Sequence, residues 1–580
     1  MQTNTNIGTI EKPLAGNKLN NPTNNAKTML GRSAFLSLLE DEGIDVLFGN
    51  PGSTELPIMA ALHDHPNLRY VLGLQEAIVV AMADGYARAS NRLTAANVHV
   101  APGLGNAMGS LFNAKWYGSP IILTAGQHEQ GHSLNEPMLY APLAPLAEPL
   151  VKWAVEVTRL EDLPRIVRRA AKVALTPPTG PVFISLPGDI LNAEAPLNLG
   201  ERVRVDSITR PSDAALERLA DRLLLAQHPV IVSGHEVSVH DALAEVGQLA
   251  ELLGAGMYQQ TVPYSAQCLS EHPASLGSLT RNQRQVRATL EPFDLLFLIG
   301  TDMLRMSIYS PVDPLPEGMP IVQIGERAWE LGKSYPTEIA INANVKETLR
   351  ALLVVLKNRI TAAQRERAAK NLQAIASNNW TVRRNTALQE VSATATSKPI
   401  DPKYLMSRIV AGLPSNAIVV EEALTSSAAL LNFLPMRGAR DFYGLASGGI
   451  GFAMAGAIGI QLAQPQRRVV AIVGDGSAMY SIQALWTAAH LKLPITYIIA
   501  NNASYRILKE RVMPYQKEAK FIAMDLRDPS IDFVKLAQSM GVSAQRVSDP
   551  GAIDAALRQA YQINGPTLVE VLVDDGFAGR

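Results

Sequence analysis

The sequence predicts an α/β protein built from three doubly wound parallel sheets. Two observations carry that expectation. Short apolar runs that stop at glycine alternate with helical patterns along almost the whole chain, and strands that alternate with helices argue for parallel sheets covered on both faces. The length, 580 residues, suits several domains of ~100–200 residues each.

Taken in chain order, residues 1–28 are rich in Asn and Thr and poor in apolar side chains. They carry neither the apolar stretch of a signal peptide nor the Arg-rich pattern of a transit peptide, so they predict a disordered tail and a cytoplasmic protein. Residues 29–195 form a first block. There "IDVLFGNPGS" reads as strand and turn, and "TAANVHVAPGLGNAMGSLFNAKWYGSPIILTAG" as strand, glycine loop, helix and strand. In a second block, 205–357, "HPVIVSG", "FDLLFLIG" and "MPIVQIG" are buried strands ending at glycine. A polar helical stretch, "TAAQRERAAKNLQAIASNN", occupies the linker 358–400 and leads to a third block, 401–580. "RRVVAIVGDGSAMYSIQALWTAAHLKLPITYIIANN" repeats the strand, loop, helix and strand of the first block, a hint of duplication. The run "GGIGFAMAGAIGIQLA" is shorter than the roughly 20 residues of a membrane span. Its small residues suit close helix packing.

Composition narrows the function. The formal net charge is −1, which leaves no basic field for nucleic acid or an anionic membrane. The one cysteine, Cys268, excludes an intrachain disulfide framework and any multi-cysteine metal site.

The chemistry concentrates in "VAIVGDGSAMYS". A buried strand stops at Gly474, Asp475 and Gly476 follow, and the next strand, "ITYIIA", stops at Asn501-Asn502. Ligands of open α/β sheets bind beyond the carboxyl ends of strands, where Asp475 and Asn502 converge if the two strands are neighbours. A carboxylate and an amide oxygen are hard ligands suited to Mg²⁺ or Ca²⁺, and Mg²⁺ shares its shell readily with phosphate oxygens. The following helix start offers N–H groups to an anion. An Asp between glycines also serves as an ordinary helix cap. A Walker lysine motif is missing.

GDG followed after 24 residues by NN resembles the diphosphate and metal motif of thiamin-diphosphate enzymes. "GDGSAMYSIQALWTAAHLKLP" is similar to the benzoylformate decarboxylase branch of the pyruvate decarboxylase/acetolactate synthase superfamily, and the likeness runs from Met29 through all three blocks. It implies a pyrimidine-binding, a central and a diphosphate-binding domain. It implies Mg²⁺ held by Asp475, Asn502 and the main-chain carbonyl of Ser504. It implies cofactor contacts from Thr425, Gly448, Ile450, Gly474, Gly476, Ser477 and Tyr505. Glu76 in "LGLQEAIVV", by itself an ordinary helix glutamate, matches the residue that hydrogen-bonds the aminopyrimidine. Ile450, by itself a core residue, matches the apolar wedge that bends the cofactor. His99, by itself a structural hydrogen-bonder at a strand end, matches a proton-transfer residue, and Ser53 a binder of the substrate carboxylate. The family also implies a homodimer or homotetramer with active sites between subunits.

The match has gaps. Benzoylformate decarboxylases carry a second catalytic histidine after the strand equivalent to "LLFLIG"; here Ser307 stands in that place. Arg511 stands where the pattern has a bulky aromatic, and with Lys509 is either a solvated helix charge or a cleft residue favouring a more anionic substrate. His128 and His132 in "GQHEQGHS" are candidates for the missing group. "GLGNAMG" lacks the spacing of a dinucleotide fingerprint, and "VIVSGHEV" shows one glycine where flavin-binding relatives show more, so FAD is not expected. The expected activity is a lyase that decarboxylates a 2-oxo acid. The alternative is an acetolactate synthase-like carboligase or 2-hydroxy carbonyl lyase using the same cofactor.

Overall fold

The structure is a computed structural model and describes residues 26–306, 309–515, 518 and 520–577. The expected tail, up to residue 25, and Ser307 lie outside the described residues. Lys27–Leu30 pairs antiparallel with Glu194–Leu197 and brings the ends of the first block together.

Three parallel sheets of six strands follow. The first comprises β1 (Val46–Gly49), β2 (Arg69–Leu72), β3 (Thr94–Val98), β4 (Ile121–Gln127), β5 (Ala154–Glu156) and β6 (Val182–Pro187), in the order β2-β1-β3-β4-β6-β5. The second comprises β7 (Pro229–Ser233), β8 (Gly256–Gln259), β9 (Ser275–Ser278), β10 (Leu295–Ile299), β11 (Ile321–Gly325) and β12 (Ile339–Asn342), in the order β9-β8-β7-β10-β11-β12. The third comprises β13 (Ile418–Glu422), β14 (Phe442–Gly444), β15 (Val469–Gly474), β16 (Ile495–Asn501), β17 (Ser543–Val547) and β18 (Thr567–Leu572), in the order β14-β13-β15-β16-β18-β17. The first and third sheets therefore share one strand order, and the second is wound differently.

Central strands such as β15 are buried on both faces and read as unbroken apolar runs, as expected when helices cover a parallel sheet. The helices that matter below are α1 (Glu76–Ser90), α2 (Val100–Tyr117), α3 (Ala362–Ala376), α4 (Trp380–Ser392), α5 (Phe452–Ala463), α6 (Asp475–Ala478) and α7 (Arg506–Val512). The linker thus holds two helices, α3 and α4. The glycine loop expected after β3 is instead the first turn of α2, entered directly from His99. Gly103 sits in that turn because a Cβ there would lie 3.3 Å from the Glu76 side chain.

Helix α1 is buried on nearly all sides, the signature of a helix packed between a sheet and another helix. Its neighbour is α5. A Cβ on Gly85 would meet the Gly456 carbonyl at 2.2 Å, and one on Gly459 the Met82 carbonyl at 1.9 Å. The two helices therefore touch backbone to backbone. One apolar cluster continues from Phe48 and Val80 of the first block into Ile458 and Val473 of the third.

The start of α5 rests on a buried carboxylate. Glu422, the last residue of β13, is 1% exposed and accepts the N–H groups of Gly451 at 2.5 Å and Ala453 at 2.6 Å. Negative charge at a helix N-terminus is favourable, but burial dominates. It pushes the Glu422 carboxyl up to about 8, against the backbone hydrogen bonds that pull it down and with Glu421 adding to the rise.

Two outcomes follow from this packing. Gly459→Ala forces the helices apart and is expected to cost about 3 kcal/mol, the upper end for overpacking, read by denaturant unfolding. Glu422 keeps its proton in the folded chain at pH values where the unfolded chain has lost it, so it subtracts stability as pH rises from roughly 4.5 to about 8. The Tm of the native chain, measured relative to Glu422→Gln, is therefore expected to fall over that range. A constant difference would contradict the assignment.

Candidate functional site

Two groups of polar residues gather at strand carboxyl ends, one on the first sheet and one on the third. Each lies beyond the carboxyl ends of its strands, where open α/β sheets bind ligands, and His99 and Asp475 follow the strands that border the point where the strand order reverses.

On the third sheet, β15 pairs with β16 in a register that sets Gly474 opposite Ala500. Asp475 and the Asn501-Asn502 pair are thereby side by side. Asn501 turns away: its amide donates to Glu570 at 2.7 Å and its oxygen accepts the Ala503 N–H. Asn502 turns toward Asp475. The single N–H of Ser504 lies 3.0 Å from Asn502 Oδ1 and 3.3 Å from Asp475 Oδ2. One donor shared by both oxygens places them within reach of one ion. The chain returns to make this contact through Ala503, at φ 50°.

Asp475 is 4% exposed, and burial pushes its carboxyl up to about 6 despite the amides of Gly476, Ser504 and Ala503. Backbone dipoles alone leave the charge under-compensated. Among the described residues no group of three or more His, Cys, Asp or Glu could hold a metal. The donor set here is one carboxylate and one amide oxygen, which fits a hard ion completed by phosphate oxygens. The helix start expected after Gly476 is only the four-residue α6, with Asp475 in its first position, and helix resumes at Ala484. The ring of Tyr505 covers Gly476, where a Cβ would come within 2.7 Å of it. Ser477 is buried, and Thr425 lies on the turn after β13, behind Leu424 at φ 50°. Gly448, at φ 86°, has open space where a side chain would point, and Ile450 is half-buried.

On the first sheet, Glu76 opens α1 and is 8% exposed. Asn50 donates to its Oε1 and Asn106 to its Oε2, each at 3.0 Å. Two amides thus fix a carboxylate in place. Nearby, His99 Nδ1 lies 2.8 Å from Glu55 Oε2 and 3.1 Å from Thr54 Oγ1. Glu55 is fully buried and also accepts the N–H groups of Gly52 and Gly126 and the Thr54 hydroxyl. The imidazole lies on Gly52, where a Cβ would sit 2.3 Å from the ring. With Nδ1 committed to a carboxylate, Nε2 is the position left for proton transfer. Ser53 is exposed on the short turn Ser53–Glu55 beside it.

Asn50, Glu55 and Asn106 did not stand out in the sequence. Glu55 had a signal, the spacing "GSTE" that lets a carboxylate cap its own turn. Lys509 is no solvated helix charge. It is 3% exposed, pairs with Asp525 at 2.7 Å and Asp575 at 3.4 Å, and lies 5.1 Å from the Phe521 ring centre. Arg511 is exposed. His128 and His132 bond within their own loop, to Met138 and Asn135. Among the described residues no hydrogen bond joins the Glu76 and His99 group to the Asp475 and Asn502 group.

Comparison with known proteins gives these groups a context. Residues 29–140 match the thiamine pyrophosphate enzyme N-terminal TPP binding domain, 216–352 the central domain and 425–571 the C-terminal TPP binding domain. The chain is 33% identical over 545 residues to benzoylformate decarboxylase of Pseudomonas aeruginosa, covering 93% of this chain and 98% of the relative. It is 26% identical to the acetolactate synthase large subunit of Lactococcus lactis, covering 96% and 93%. The solved thiamine diphosphate-dependent 4-hydroxybenzoylformate decarboxylase of Rhodococcus jostii superposes with a TM-score of 0.83 at 32% identity, covering 94% of this chain and 99% of that one. With three domain models in order and matches that span nearly its whole length, the chain belongs to the thiamine pyrophosphate enzyme family.

Proposed function

We propose that this chain is a thiamine-diphosphate- and Mg²⁺-dependent carboxy-lyase that decarboxylates a 2-oxo acid, like its benzoylformate decarboxylase relatives. The observation that carries the proposal is the Ser504 amide shared by Asp475 and Asn502. These two oxygens and the Ser504 carbonyl hold the metal. Thr425, Gly474, Gly476, Ser477 and Tyr505 surround the diphosphate. Glu76 hydrogen-bonds the aminopyrimidine, and Gly448 and Ile450 shape the cofactor's bend.

Bound thiamine diphosphate supplies a carbon nucleophile and an electron sink for the pair released with CO₂. The chain's residues do the rest. Ser53 orients the substrate carboxylate. His99, aligned by Glu55, delivers a proton from Nε2. The family resemblance supports a site completed between two copies, and exposed apolar residues close in sequence to each group, Leu74 before Glu76 and Met479 and Tyr480 after Asp475, suit such a contact. A homodimer or homotetramer is part of this reading. A cytoplasmic enzyme is part of this reading; no helix among the described residues is long and apolar enough to cross a membrane.

Carboligation is the second reading. Ser307 replaces the histidine that the resemblance expects, and acetolactate synthases are among the relatives.

The primary test is CO₂ release from a panel of 2-oxo acids, with and without aldehyde acceptors, in thiamine diphosphate and Mg²⁺. Turnover is expected to vanish on chelation and return with Mg²⁺, and Asp475→Asn is expected to weaken metal-dependent cofactor uptake at least about 10–100-fold. Ligation products without aldehyde release would favour the second reading, and no saturable cofactor uptake would defeat both. Glu55→Gln is expected to lower kcat about 10²-fold or more while cofactor Kd stays near the native value, measured by steady-state kinetics and titration.

A further inference from the structure

Among the described residues, one ion pair exposes neither side chain. Arg88 and Asp84 lie one turn apart on α1, both 0% accessible. Arg88 donates to the carboxylate from Nε at 2.8 Å and Nη2 at 2.6 Å, and from Nη1 to the Gly444 carbonyl at 3.0 Å. Its guanidinium carbon lies 4.2 Å from the ring centres of Tyr117 and Phe452. The Asp84 carboxylate also accepts from the Ser119 hydroxyl and from Asn113 Nδ2, the latter at 3.0 Å.

A buried pair of this kind is weak evidence for stability by itself. What matters is where Asn113 passes the contact on. Its Oδ1 accepts the N–H groups of Ala446 and Ser447 at 3.1 Å each and the Ser447 hydroxyl at 3.2 Å. The Ser447 oxygen in turn accepts the Gly449 N–H at 3.0 Å. The relay thus runs from the middle of α1 into residues 446–449, which carry Gly448 and lead to Ile450. At the far end of the same segment, Glu422 holds the amides of Gly451 and Ala453. The segment holds glycines at 448, 449 and 451, so little in its own backbone preference fixes its path.

We infer that Asn113, oriented by the Asp84–Arg88 pair, is a positioning residue for the 446–450 segment and thereby for the cofactor's bend. What the segment faces rests on the thiamine diphosphate proposal above; the hydrogen bonds stand without it. Asn113 is 1% exposed and hydrogen-bonds to Asp84, Ala446 and Ser447. It acts by giving three donors one fixed acceptor, with its own amide locked by Asp84 so that the oxygen cannot rotate away. Helix α1 therefore carries Glu76 at its first residue and, two turns later, Asp84, which fixes Asn113 of α2 against the 446–449 loop.

The test uses the full-length protein and the variants Asn113→Ala, Ser447→Ala and Ser447→Thr. In the absence of cofactor, hydrogen–deuterium exchange of peptides spanning 444–451 is expected to quicken about tenfold in Asn113→Ala, as for loss of one buried acceptor, while peptides from β15 and β16 are unchanged. Titration with thiamine diphosphate in Mg²⁺ is expected to show a Kd raised about tenfold in Asn113→Ala and by less in Ser447→Ala. Ser447→Thr, which keeps the hydroxyl, is expected to stay near the native values. KM for the 2-oxo acid is expected to hold while kcat falls. Unchanged exchange in both alanine variants overturns the inference, and so does faster exchange with an unchanged Kd. Should Asn113→Ala fail to fold, Ser447→Ala decides the same comparison. Absence of cofactor uptake by the native chain would remove the functional proposal instead, and the exchange data would still decide whether Asn113 holds the segment.

Discussion

The arrangement depends on two helices that meet without side chains between them. Gly85 and Gly459 let α1 and α5 approach until a methyl group at either place would collide with the opposite backbone. Side chains can repack around a substitution; peptide carbonyls cannot, so the contact fixes two rigid bodies rather than two surfaces. Glu76 is the first residue of α1, and Gly448 to Gly451 lead directly into α5. The contact that joins the sheets therefore also sets where the Glu76 carboxylate and the segment 448–451 stand.

Three buried carboxylates show how differently one charge can be accommodated. Glu55 has two backbone amides, a hydroxyl and an imidazole, a nearly complete set of donors. Glu422 has the amides at the start of α5, and burial still holds its proton to about pH 8. Asp475 has backbone amides and a neighbouring amide oxygen that competes with it for the Ser504 donor. An acceptor placed beside an acceptor is unfavourable unless something positive lies between them. That juxtaposition distinguishes Asp475 from the other two and suits a cation.

The strands and their ends were legible because fully buried parallel strands write themselves as apolar runs closed by glycine. Asp475 and Asn502 stood out because each follows such an end, whereas Glu76 and His99 stood out only through the resemblance to thiamin-diphosphate enzymes. The expected glycine loop before α2 was misread for a physical reason: Gly103 signals close approach of the Glu76 side chain, not a turn, and composition does not separate the two. Lys509 was misread because its partners, Asp525 and Asp575, lie 16 and 66 residues away, and no local pattern announces a distant counter-charge. Asn50 and Asn106 were silent for the same reason. Each is an unremarkable polar residue until the fold brings both to one carboxylate.

The shared strand order of the first and third sheets gives the two polar groups a common geometry. β3 of the first sheet occupies the place of β15 in the third, and the residue that follows each strand is the one that bears chemistry: His99 after the former, Asp475 after the latter. The neighbouring strands correspond too. β1 leads to Asn50 and Ser53, as β13 leads to Thr425. A strand end at a topological switch point offers a crevice whatever side chains stand there. Filled with a carboxylate-aligned imidazole and a hydroxyl, that crevice has the chemistry to move protons and to meet an anionic substrate group. Filled with an aspartate, an amide oxygen and small hydroxyl residues, it has the chemistry to take a hard cation and phosphates. One winding thus suits both halves of the proposed site, and the difference lies in which residues close the strands.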